Sequence, residues 1–180
     1  MRRLTNIIVV ISTLLSFYYI YLHFSPFDIS KILLGIVSIL LLIIPYAFEK
    51  IRNKKIEEYI KLIYYFFLLV SFILGGLFQL YYSTTFFDLF VHAIFGILLS
   101  IILCTKIKNN SFKNFIILLS LVTFVGFLWE CLEFLSDILI GTDHQEKISG
   151  ASDTMTDMLI SMVGGLIYTV YFNVMNKIKK

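Results

Sequence analysis

Residues 115–137 read FIILLSLVTFVGFLWECLEFLSD. From Phe115 to Trp129 no side chain is charged, and the run continues apolar apart from three acids. A bilayer crossing takes about 20 mainly apolar residues in a helix rising roughly 1.5 Å per residue. This stretch therefore reads as a spanning helix. Its last part places Glu130, Glu133 and Asp137 within roughly 60° of one another around the axis, with Cys131, Leu132 and Phe134 elsewhere. A stripe of three acids must avoid lipid, so other helices have to cover it. Glu130 lies ~10 Å inside the outer end of the helix, in its electronegative C-terminal half, where no cap or dipole accounts for an acid.

Five more apolar runs accompany it. The expected spans are about 4–21, 32–48, 59–82, 87–104, 112–135 and 154–172, in a chain of 180 residues that is 59% hydrophobic and only 15% charged. The fold expected is all-α, a polytopic membrane bundle of six transmembrane helices. Little chain remains between the spans, so 1–180 reads as a single integral membrane domain. The first run follows Arg2 and Arg3 but is longer than a signal-peptide core, and no small-x-small site follows it. It reads as a retained span.

Thirteen of the fifteen basic residues fall on one side of this arrangement. They are Arg2 and Arg3, the cluster from Lys50 to Lys61, then Lys106, Lys108 and Lys113, then Lys177, Lys179 and Lys180. Lys31 and Lys147 face the other way. Such a bias predicts both termini in the cytoplasm, and the +3 net charge needs no nucleic-acid partner. Membrane lipids are the expected partners. Cys104 and Cys131 fall at different depths, too far apart for a disulfide. Pro45 predicts a bend in the second span. Tyr18, Tyr19, Tyr21, Tyr81 and Tyr82 mark one interface, and Tyr59, Tyr64 and Tyr65 the other.

Two further helices repeat the pattern of misplaced acid. In the fourth span Asp88 and His92 are four residues apart, on one face. Taken singly, Asp88 suits a helix start after Thr85, and His92 suits a core histidine bonded to a neighbour. In the sixth span Asp153 and Asp157 are again four apart. Asp153 suits an N-cap, whereas Asp157 lies a turn deeper and needs a partner. Spans four and six run inward and span five outward, so all three acidic groups reach one level in the outer leaflet. No Lys or Arg lies at that level. Acids packed there repel unless protons or a cation neutralise them. Asp88, His92, Glu130, Glu133, Asp137, Asp153 and Asp157 are thus the expected metal ligands, with His92 and Glu130 as the candidate acid and base. A carboxylate-rich set with one imidazole suits Mg²⁺, Mn²⁺ or Ca²⁺, with Zn²⁺ or iron as further candidates. The loop over 141–152, which carries Asp143, lies directly above and reads equally as a lid or as an ordinary solvated connection.

The motifs Phe87-Asp88-x-x-x-His92-x-x-x-Gly96, Trp129-Glu130-x-x-Glu133-x-x-x-Asp137 and Gly150-x-x-Asp153-Thr154-x-x-Asp157-Met158, followed by Gly164-Gly165, resemble the YjdF-like family of bacterial inner-membrane proteins. A looser similarity, to VanZ-like membrane proteins, rests on the Asp/His pair and the late acids. The resemblance implies a multi-span protein of the bacterial cytoplasmic membrane and brings no activity with it. Three functions compete. One is a metal-dependent enzyme acting on a lipid or lipid-linked substrate at the outer leaflet. Against it, no phosphate-binding Arg is present. A second is a proton- or cation-coupled transporter, against which stand the missing polar path through the inner half and the missing repeat. Oligomerisation is one way for a carrier this small to complete a path. The third is a structural protein whose polar cluster only holds helices together.

Overall fold

A computed structural model describes residues 1–25, 28–82, 85–105, 112–140 and 150–178. The described residues contain helices and no strand. They are α1 (Arg2–Phe24), α2 (Ile29–Arg52), α3 (Glu58–Leu68), α4 (Thr85–Cys104), α5 (Phe112–Ile140) and α6 (Gly150–Ile178). α3 continues as a π-helix over Leu69–Leu77, and a 3₁₀ turn spans Leu80–Tyr82. Six helices are long and apolar enough to cross a membrane, as the six apolar runs require. Most extend past the apolar runs by several residues, because a helix continues until a cap or turn stops it rather than where hydrocarbon ends. Lys106, Lys108, Lys147, Lys179, Lys180, Asp143 and the loop over 141–149 lie outside the described residues.

The chain divides into two compact units, Met1–Phe87 and Asp88–Lys180. In the first, α1, α2 and α3 pack through Ile8, Leu42, Tyr65 and Leu68, and through Tyr19, Ile73 and Leu77. Buried Ser16 and Ser38 meet across α1 and α2 with their hydroxyl oxygens 2.7 Å apart. α2 runs unbroken through Pro45. Proline offers no N–H to the carbonyl four residues earlier. That carbonyl belongs to Leu41, and the Tyr64 hydroxyl donates to it at 2.9 Å. Tyr65 donates to the next carbonyl, Leu42, at 3.3 Å. Tyr64 and Tyr65 thus join α3 to α2, and Tyr19 and Tyr65 are buried. At the start of α2, Asp28 caps the helix by accepting from the Lys31 amide at 3.2 Å. The second unit holds α5, α6 and all of α4 beyond its first turn, and every sequence-predicted site residue within the described segments belongs to it.

Candidate cation site

On α4, Asp88, His92, Gly96 and Ser100 follow at intervals of four. On α6, Asp153, Asp157, Ser161, Gly165 and Thr169 do the same. Four-residue spacing keeps side chains on one face of a helix. The two stripes meet backbone to backbone. A Cβ on Gly96 would overlap the Ser161 carbonyl and sit 2.9 Å from the Gly165 amide nitrogen. A Cβ on Gly164 would overlap the carbonyl of Ala93. Small residues permit this approach, as they commonly do between membrane helices. Beyond the contact, Ser100 and Thr169 are fully buried, and both hydroxyls donate to the Gly165 carbonyl, at 3.2 and 2.7 Å.

One turn from the glycine contact, the acids converge. His92 is buried, with Nδ1 3.2 Å from Ser161 Oγ. Its Nε2 lies 3.6 Å from Asp88 Oδ1 and 3.8 Å from Glu130 Oε1. Asp88, His92 and Asp157 each bring one ligand atom to within 4.8 Å of the others. Asp157 is 2% exposed and its Oδ1 has no hydrogen-bond partner among the described residues. Glu130, 3% exposed, comes from α5 and is hydrogen-bonded by Thr154 of α6. Two helices, α4 and α6, thus supply the converging ligand atoms, and α5 brings Glu130 alongside them.

The remaining predicted ligands take different places. Glu133 accepts from the Trp129 indole nitrogen at 2.7 Å and interacts electrostatically with Glu130, Asp88 and Asp157. Asp153 interacts in the same way with Glu130 and Asp157. Asp137 is half-buried further along α5. Among the described residues, Glu130, Glu133, Asp137 and Asp153 stand outside the group of ligand atoms within 4.8 Å of one another, although Glu130 Oε1 is 3.8 Å from His92 Nε2. Ser161 was not anticipated from the sequence, although its place four residues after Asp157 was a usable signal. Trp129, part of the span-five motif, engages Glu133 through its indole N–H. Cys104 and Cys131 are both free thiols.

Two ligand atoms on one ion, each roughly 2.0–2.5 Å from it, lie up to ~4–5 Å apart. The 4.8 Å limit on the Asp88, His92 and Asp157 atoms falls within that reach. The histidine geometry also suits ligation. Metal-bound histidines commonly donate from the second ring nitrogen to an outer partner, which fixes tautomer and ring plane. Ser161 stands at Nδ1, and Nε2 is turned toward the carboxylates.

A bundle of apolar helices with ionisable groups gathered inside it defines a polytopic integral membrane protein. Residues 7–178 match the profile of one family, described as predicted membrane protein (DUF2238), and the chain belongs to that family. It is the YjdF-like family that the motifs resemble, and the comparisons show no likeness to VanZ-like proteins. No curated protein and no solved structure matches the chain.

Proposed function

We propose that α4, α5 and α6 bind one divalent cation through Asp88, His92 and Asp157, with Glu130 at the edge of its coordination. The observation that carries this reading is Asp157. A buried carboxylate oxygen with no hydrogen bond is costly, and costlier beside other acids. A cation within reach of Asp157, Asp88 and His92 removes that cost. The imidazole in the set favours Mn²⁺, Zn²⁺ or iron over Mg²⁺ and Ca²⁺, whose preference is for all-oxygen sites. Asp153, Glu133 and Asp137 surround the site with further carboxyl groups.

The charge bias of the loops supports a bacterial cytoplasmic-membrane protein with both termini inside and this site in the outer leaflet. An ion there would face lipid head groups and act as a Lewis acid on a lipid or lipid-linked substrate. With His92 engaged as a ligand, Glu130 is the group left to move a proton. The backbone contact at Gly96 and Gly164 closes the seam just beyond His92, which supports a fixed site over passage of an ion between α4 and α6. The test is elemental analysis of detergent-purified protein. Wild type is expected to carry about one Mn, Zn or Fe per chain, and Asp157→Asn and Asp88→Asn to carry none. Equal metal content in all three proteins removes the reading.

A further inference from the structure

An apolar groove of about 550 Å³ runs between α5 and α6, and the proposed cation site does not use it. Its volume lies within the roughly 300–1,000 Å³ of clefts that hold small ligands. Ile116, Phe124 and Phe127 line it from α5, and Met158 and Met162 from α6. Thr123 also lines it, but its hydroxyl donates to the Leu119 carbonyl at 2.9 Å, so that hydroxyl already has its acceptor.

The position of the groove gives it meaning. On α5 its lining ends at Phe127, one turn before Glu130. On α6 it begins at Met158, one turn after Thr154 and adjacent to Asp157. Thr154 and Glu130 are hydrogen-bonded to each other, so they mark one end of the groove beside the acidic group. From there the lining follows α5 back to Ile116, about 16 Å along the axis. That is roughly half the ~30 Å hydrocarbon thickness of a bilayer, and with Glu130 ~10 Å inside the outer end the groove runs from the proposed outer-leaflet site past the midplane. The groove thus joins a charged end to an apolar trough about 16 Å long.

We infer that this groove holds one hydrocarbon chain of a phosphate-bearing lipid whose head group meets the cation at Asp88, His92 and Asp157. The inference rests on the cation reading above and names the substrate class for the same site. Charge complementarity selects the phosphate. Carboxylates alone repel it, and a divalent cation between them attracts it. Methionine suits the wall, because its flexible thioether follows a chain of variable shape.

The test is photolabelling in phosphatidylcholine nanodiscs that contain phosphatidic acid with a diazirine midway along one acyl chain. Diacylglycerol carrying the same chain is the comparator. With Mn²⁺ present, phosphatidate adducts are expected on Phe124, Phe127, Met158 and Met162. The expected excess over Leu121 and Leu132, exposed on the opposite face of α5, is about tenfold. Chelation should abolish that preference, and diacylglycerol should never show it. Met162→Trp, which fills the trough, should lose the adducts and keep its metal. The wild-type adduct map stands by itself if that variant fails to fold. Bound metal with adducts spread evenly over α5 and α6 overturns the groove and leaves the cation site intact. Groove adducts without metal, or equal for both lipids, overturn the phosphate bridge. Absence of both metal and preference overturns both readings.

Discussion

Gly96→Ala is the sharpest test of the arrangement, because one methyl group measures the spacing of α4 and α6. The new Cβ would lie 2.8 Å from the Ser161 carbonyl carbon and 2.9 Å from the Gly165 nitrogen. Comfortable separation is roughly 3.5–4.0 Å, so the helices must part by ~1 Å. Both obstructing groups are backbone, and no rotamer change relieves them. Overpacking of this kind costs about 1–3 kcal/mol. The same displacement carries Asp157 and Ser161 away from Asp88 and His92. A ligand set tolerates only about 0.5 Å of such error, so Mn²⁺ affinity should fall by at least ~10-fold. Gly126→Ala is the control, since its Cβ would meet the Ser161 Cβ at an ordinary 3.7 Å. Both alanines gain the same helix propensity, and their difference isolates the overlap. The assay is thermal melting in detergent with and without Mn²⁺, combined with a chelator-competition titration. Equal melting and equal affinity in the two variants would show that α4 and α6 do not touch at Gly96.

Ser161→Ala should keep the fold and lower metal affinity by about 10–100-fold, as loss of an outer-shell histidine partner does, read by the same chelator competition. Glu133→Gln should leave metal content unchanged and blue- or red-shift the emission of Trp129, the chain's one tryptophan, because Glu133 is engaged by that indole. Loss of metal in this variant would place Glu133 among the ligands. At Asp28 the Lys31 backbone N–H, helped by the Lys31 side chain and opposed by desolvation, holds the carboxyl below its ordinary value. A lowered carboxyl stabilises above its unfolded pKa of about 3.9 and loses that contribution as pH falls through the folded value. Amide exchange at Lys31 should therefore quicken under acid in wild type and stay flat in Asp28→Asn, whose amide oxygen caps at any pH.

The spans and the acids were legible because each breaks a strong rule. Long uncharged runs have few alternatives to crossing a bilayer, and acids inside them need a reason to be there. The antiparallel order of α4, α5 and α6 then places Asp88, Glu130 and Asp157 at one level, and ligand atoms of the first and last, with His92, do converge. What stayed hidden were residues whose local role is sufficient. A serine in a membrane helix ordinarily satisfies itself on the carbonyl four residues earlier, so the spacing of Ser161 from Asp157 marks its face but not its contact with His92. The Tyr64 hydroxyl on Leu41 was equally silent, because its cause, Pro45, lies on another helix. The π-helical turn over Leu69–Leu77 is apolar throughout, and hydropathy does not distinguish it from α-helix.

The two glycine-bearing stripes also explain why the site lies one turn away from the closest approach rather than at it. Where α4 and α6 touch at Gly96 and Gly164, backbone meets backbone. At the contact there is room for neither a side chain nor an ion. One turn away, His92 and Asp157 fit between the backbones and remain buried. Two turns away, Asp88 is only half-buried. Position along this seam thus sets the character of each residue. Glycine lies where the helices touch, His92 and Asp157 lie buried where one side chain fits, and Asp88 beyond them is half-buried, the opening that the proposed cation reading requires.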